Sequence, residues 1–109
     1  MSDRMQPPGG GGPFDAVDPK LTVFALANGL DLIKGAASRR LEWFTEGLER
    51  AILVEAGPDG GFEVQALCWS TGSSEVRART AVAGCASAEE LVRTLPAGIE
   101  AANGLEPSS

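Results

Sequence analysis

The chain has 109 residues and a mass of 11.2 kDa, a length that holds one small domain. Apolar residues make up 43% of the sequence and charged residues 22%, a globular balance that argues against both a disordered chain and a membrane protein. The net charge of −6, from 15 acidic and 9 basic residues, argues against nucleic acid as a partner and suits a basic partner protein or plain solubility, because Lys and Arg drive binding to phosphate backbones.

The first 17 residues are predicted to form a disordered leader. The run from Pro7 to Pro13 contains only proline and glycine, so it offers no side chain to pack and has much backbone entropy to lose. No apolar stretch is long enough for a signal peptide or a membrane span, and we therefore expect a cytoplasmic protein without membrane contact. The domain is expected over residues 18–105, with residues 106–109 as a frayed tail.

Residues 18–33 predict a helix, with a hairpin as the competing interpretation. Asp18 is a candidate N-cap, and Pro19 suits the first helical position. Apolar residues then recur at helical spacing, at Val23, Leu26, Ala27, Leu30 and Ile33. The pair Asn28-Gly29 is also a strong signal for a two-residue hairpin turn, so two short strands are the alternative. In both cases the segment is expected to be buried.

A second helix is expected after Ser38, which can cap it. One apolar stripe follows at steps of three and four residues, formed by Leu41, Phe44, Leu48 and Ile52. A row of carboxylates falls on another face, formed by Glu42, Glu46 and Glu49. This row of carboxylates would either bind a basic partner or be exposed to solvent.

The predicted fold class is α+β, built on a three-stranded antiparallel β-meander over about residues 51–83. The strands are expected at residues 51–56, 62–70 and 75–83. The links between them are rich in Gly, Pro, Asp and Ser, which is turn chemistry. Pairing Val64 with Thr80 makes the even-numbered residues of the second strand core. The meander should pack against the N-terminal helical segments and a C-terminal helix.

The C-terminal helix is signalled at both of its ends. Ser87 and Glu90 have the spacing of a capping box, and Asn103-Gly104 is typical of a helix end. The apolar stripe between them consists of Leu91, Leu95, Ile99 and Ala102. Pro96 lies inside this segment and is expected to kink the helix or to divide it into two.

The second face of the meander carries the residues that we select as a candidate partner-binding site. They are Leu53, Leu67, Trp69, Arg77 and Arg79. An apolar cluster with Arg at its margin has the composition of an interface centre. Two interpretations remain open: the face binds another protein or a second copy in a two-fold dimer, or a helix from the N-terminal region covers it.

Enzymatic chemistry is not indicated, and we predict no catalytic residue, no metal ligand and no cofactor. The chain has no His, which removes the usual general base and the commonest metal ligand. Cys68 and Cys85 lack a CxxC motif or a third ligand and are expected to be small buried residues. The alternative is a small-ligand or divalent-cation site, or a weak carboxylate-dependent enzyme, at Glu55, Asp59 and Glu63, which would meet across the first hairpin.

No motif in the sequence identifies a family. The function that we expect is a small acidic, non-enzymatic protein-binding module of the adaptor, chaperone, immunity or inhibitor type. Self-association as a homodimer is its simplest form. The high Ala, Gly and Arg content is typical of a bacterial protein from a GC-rich genome.

Overall fold

The computed structural model describes residues 13–57, 60–72 and 75–106. In chain order its elements are α1 (Asp18–Asn28), β1 (Asp31–Lys34), β2 (Ser38–Thr45), β3 (Leu48–Ala56), β4 (Phe62–Ser70), β5 (Ala78–Cys85) and α2 (Ala88–Asn103). The strands form one five-stranded antiparallel sheet in the order β1-β2-β3-β4-β5. The α+β class is confirmed, but the three-stranded meander over residues 51–83 is wrong because two strands precede it.

The helix expected after Ser38 is wrong, since this segment forms the β2–β3 hairpin. Glu46 and Gly47 have φ of 48° and 82°, and they connect the paired residues Thr45 and Leu48. Positive φ at both central positions is the geometry of a tight hairpin turn that matches strand twist. Pairing of β3 with β4 along its whole length supplies the long-range contacts that decide against the helix.

The N-terminal helix is confirmed over Asp18–Asn28, and the two-strand alternative is wrong there. Gly29 ends the helix in the left-handed conformation, with φ 68° and ψ 34°, which glycine adopts without steric cost. The chain then becomes extended in β1, so the helix does not reach Ile33. Val17 is the N-cap residue and Asp18 is the first residue of the helix.

Asp18 binds Arg39 of β2 and so fastens α1 to the sheet. Arg39 donates from Nε to Asp18 Oδ1 at 2.8 Å and from Nη2 to Oδ2 at 3.0 Å, the bidentate geometry of a strong pair. This hydrogen-bonded guanidinium lowers the pKa of Asp18, although partial burial opposes the shift. Arg39 also lies 4.2 Å from the centre of the Phe14 ring. It therefore joins the start of the helix, Phe14 in the segment before the helix, and the sheet.

The main core lies between one face of the sheet and both helices. Its fully buried members include Leu21 of α1, Leu41, Ile52, Val54 and Val64 of the sheet, and Leu91 and Leu95 of α2. The expectation that even-numbered residues of β4 face this core is confirmed, since Phe62 and Val64 belong to the main core cluster and the buried residues Ala66 and Cys68 continue the same alternation. Phe14 and Val17 join the core as well. The packed part of the chain therefore begins by Phe14, before the predicted boundary at residue 18, while residues 1–12 lie outside the described residues.

The register of β4 with β5 differs from the predicted one by two residues. Ala66 faces Thr80 and Cys68 faces Ala78, and a bulge follows between Val64 and Gln65, beyond which Val64 faces Ala83. The bulge reverses the alternation of β5, because it inserts one residue into one strand of the pair. It allows Cys85, at the end of β5, to reach the main core.

The α2 helix begins with the predicted cap. Ser87 Oγ accepts a hydrogen bond from the Glu90 amide at 3.2 Å, while Glu90 Oε1 accepts one from the Ala86 amide at 2.6 Å. The helix continues through Pro96 to Asn103 without division. Gly98 packs closely on β3, since a Cβ there would lie 3.1 Å from side-chain carbons of Ile52. Neither helix in the described part of the chain is long and apolar enough to cross a membrane.

Candidate partner-binding face

The sheet has one face that the helices do not cover, which we call the open face. Residues on it alternate with those of the main core, because successive side chains of a strand point to opposite faces. The apolar cluster on this face contains no helical residue among the residues described. The alternative in which an N-terminal helix covers the predicted site is therefore wrong.

The structure brings the three apolar site residues together. Leu67 and Trp69 form a buried cluster with Ala51, and Leu53 and Val76 pack against it. Trp69 is only 6% exposed and Leu67 only 2%, although neither described helix contributes a residue to this cluster. Trp69 is therefore part of a second small core, and the accessible part of the cluster lies beside it.

A hollow of about 390 Å³ opens next to this cluster. Its apolar walls are Ile33, Leu53, Leu67 and Val76, and its polar rim includes Ser38, Arg40 and Arg79. We call this the open-face hollow. Of the two predicted arginines, Arg79 lines it, whereas Arg77 is exposed and is not one of its lining residues.

The two rim arginines differ in their charge partners. Arg40 Nη2 lies 2.6 Å from Glu42 Oε2, and the Arg40 guanidinium lies 5.4 Å from the centre of the Trp69 ring, a cation–π contact. Arg79 is exposed and has no carboxylate within ion-pair distance across the described ranges 13–57, 60–72 and 75–106. Arg79 therefore leaves one positive charge available at the rim of an apolar hollow.

Sequence reasoning missed Arg40 and Ile33, because it placed both residues in helices. The signal that could have found them is the alternation in β2, where Leu41 faces the core and its neighbours Arg40 and Glu42 face the other way. Ile33 lies directly across from Arg40 in the β1–β2 pair and is 44% exposed. Pairing of β1 with β2 therefore completes the wall of the hollow.

The acidic row expected on a helix does not form. Glu42 lies in β2 beside Arg40, Glu46 lies in the hairpin turn and Glu49 lies in β3. The carboxylates are consequently divided between two strands and a turn. The helix row on which the expectation of a basic partner rested is absent from the described residues.

The alternative carboxylate site is formed only in part. Glu55 and Glu63 face each other across β3 and β4 as predicted, and Glu55 Oε1 accepts a hydrogen bond from Gln65 Nε2 at 3.4 Å. Both glutamates are exposed, and Asp59 lies outside the described residues. No group of three or more His, Cys, Asp or Glu suited to a metal ion occurs in the part of the chain that the structure describes.

Both cysteines are buried and unpaired, as expected. Cys68 is fully buried and Cys85 is 5% exposed. Cys85 Sγ donates to Thr94 Oγ1 at 3.4 Å. Their burial makes both thiols poor candidates for thiol chemistry.

Comparison with known proteins identifies no relative: no family model matches the chain, and no curated protein or solved structure does so either.

Proposed function

We propose that this chain is a cytoplasmic, non-enzymatic protein-binding module whose partner inserts an apolar segment into the open-face hollow. The observation that carries the proposal is the pairing of apolar walls with Arg79 at the rim, a cation that has no ion-pair partner among the described residues. Apolar side chains beside Arg are the composition of binding hot spots. The best-matched segment presents a large apolar side chain and a carboxylate next to it.

The burial of its side chains divides the predicted site into residues that shape the hollow and residues that a partner can contact. Trp69 and Leu67 are almost completely buried: Leu67 lines the hollow, Trp69 packs in the same cluster as Leu67, and both offer a partner little surface. Leu53 and Arg79 line the hollow and are accessible to a partner. Binding energy is therefore assigned to Leu53 and Arg79, and the shape of the hollow to Trp69.

Photo-crosslinking in an extract of the native organism tests this proposal. A photoreactive phenylalanine at position 33, on the wall of the hollow, should capture one protein in a defined band. Arg79→Glu in the same chain should remove that band, because it places a negative charge where the partner's carboxylate would lie. A matched control carries the label at position 97, since Ala97 is exposed on α2 and does not line the hollow. The proposal is contradicted if no protein is captured, if both labels give the same band, or if Arg79→Glu leaves it unchanged.

A further inference from the structure

A second apolar depression lies on the helical side of the molecule. It is a groove of about 650 Å³ lined only by residues of the two helices. From α1 it is lined by Pro19, Lys20, Val23, Phe24 and Ala27, and from α2 by Glu89, Val92 and Arg93. We call it the helix groove. None of its lining residues belongs to the open-face hollow.

The α1 helix is apolar on both of its sides, which is unusual for a helix at a protein surface. Leu21 and Ala25 are buried on the side that faces the sheet. Val23 and Leu26 lie on the outer side, where they are 67% and 80% exposed. These two large side chains form an exposed ridge along the edge of the helix groove, since Val23 also lines it. A ridge and groove of this kind indicate an interaction surface.

We propose that the helix groove binds a second copy of this chain in a two-fold dimer. A two-fold interface uses the same patch twice, so the patch must be complementary to itself. Here one patch contains both a projecting apolar ridge and an apolar groove beside it. The ridge of Val23 and Leu26 from one copy fills the groove of the other, and the reverse contact forms at the same time.

The charges at the rim of the groove favour a second copy over an unrelated partner. The rim carries two cations, Lys20 and Arg93, and one anion, Glu89. None of the three has an oppositely charged group within 4.0 Å among the residues that the structure describes. A purely basic partner would be repelled by Lys20 and Arg93, and a purely acidic partner would be repelled by Glu89. A two-fold arrangement instead places Glu89 of one copy near the cations of its partner.

Sedimentation equilibrium of the full chain over micromolar to millimolar concentration tests the proposal. The expected mass is twice 11.2 kDa at the upper concentrations. Leu26→Glu should weaken dimerisation about 30-fold or more, since it buries a charge at the centre of the interface. Phe44→Glu is the matched control, because Phe44 is 64% exposed on the open face. This variant should dimerise like the unmodified chain.

A charge exchange supplies a second and independent measurement. Glu89→Arg should weaken the dimer, and Glu89→Arg combined with Arg93→Glu should restore it, because each rim then again carries both signs. Circular dichroism checks that every variant is folded. If Leu26→Glu does not fold, the charge exchange still decides whether the dimer forms through the helix groove. A monomer at all concentrations would overturn the proposal. The proposal would also be overturned if Phe44→Glu dissociated the dimer while Leu26→Glu and the charge exchange left it intact.

Discussion

Arg50 is the buried charge on which the attachment of α2 depends. It lies in β3 and is only 8% exposed. Its Nε donates to Thr45 Oγ1 at 2.6 Å, and its Nη1 donates to the carbonyl oxygens of Ala102 and, at 2.8 Å, Leu105. The carbonyl groups at a helix C-terminus lack partners within the helix and carry the negative end of its dipole. A single guanidinium therefore supplies donors to the last turn of α2 and to Leu105 just beyond it, and holds both on the sheet.

Truncation of this side chain should be costly. Hydrogen bonds that involve a charged group contribute about 1.5–3 kcal/mol each. The Ala102 carbonyl keeps the hydrogen bond that it accepts from the Leu105 amide at 3.1 Å, so the loss comes from the bonds that the guanidinium donates. We therefore predict that Arg50→Ala lowers the free energy of unfolding by about 3 kcal/mol. Arg50→Lys should lose about half as much, because an ammonium keeps the charge but cannot span three acceptors in fork geometry.

Urea denaturation followed by tryptophan fluorescence measures these differences. Arg77→Ala is the matched control: Arg77 is exposed, and its loss should change stability by no more than about 0.5 kcal/mol. The urea dependence of unfolding should be the same in all variants, so that a change in midpoint reports stability. A loss below about 1 kcal/mol for Arg50→Ala, or equal losses for Ala and Lys, would refute the assigned role of the guanidinium.

Three further predictions concern the packing of the two helices. Arg39 lowers the pKa of Asp18, so the pair stabilises the fold above the unfolded pKa of about 3.9, and this contribution is lost as pH falls through the lower folded value. Asp18→Asn should be about 1 kcal/mol less stable than the unmodified chain at pH 7, and the difference should shrink steadily as pH falls below about 3.9. A stability difference independent of pH would contradict this. Gly98→Ala should cost about 1–3 kcal/mol in chemical denaturation, because its Cβ would lie 3.1 Å from Ile52 carbons; unchanged or increased stability would show that Ile52 repacks. Phe14→Ala should cost about 3 kcal/mol, since Phe14 is 3% exposed in the main core, and a thermal unfolding curve identical to that of the unmodified chain would show that the folded unit begins later.

Local chemistry explains the parts of the fold that sequence reasoning could predict. The cap at Ser87 and the helical spacing after Pro19 depend on a few neighbouring residues, so α1 and α2 were predicted in approximately the right places. Alternation in β4 was also sufficient to identify the face that joins the main core. These signals are local and do not depend on which other part of the chain lies nearby.

The segment from Ser38 to Ile52 shows why the rest could not be predicted. Spacing of Leu41, Phe44, Leu48 and Ile52 fits a helical stripe, while Leu41 with Trp43 fits a strand equally well. Phe44 is 64% exposed in the structure, so the helical stripe was a coincidence of spacing. Pairing with β4, which lies further along the chain, decides between the two, and no local signal contains that information.

The candidate site was predictable only for those of its residues that lie on correctly predicted strands. Leu53, Leu67 and Arg79 lie on correctly predicted strands, and the structure places all three around one hollow. Arg40 and Ile33 come from the incorrectly predicted segments and complete that hollow. The burial of Trp69 also depends on neighbours such as Arg40, so sequence alone could not distinguish a buried tryptophan from an exposed one.

The most direct test of the central claim is NMR mapping of the partner captured through position 33. The purified partner is titrated into the ¹⁵N-labelled chain, and amide shift changes are followed at each residue. The open-face proposal predicts that the largest changes fall at Leu53, Leu67, Arg79 and their strand neighbours, with little change in α1. Changes confined to α1 and α2, or a complex that leaves the amides around the hollow unperturbed, would contradict it.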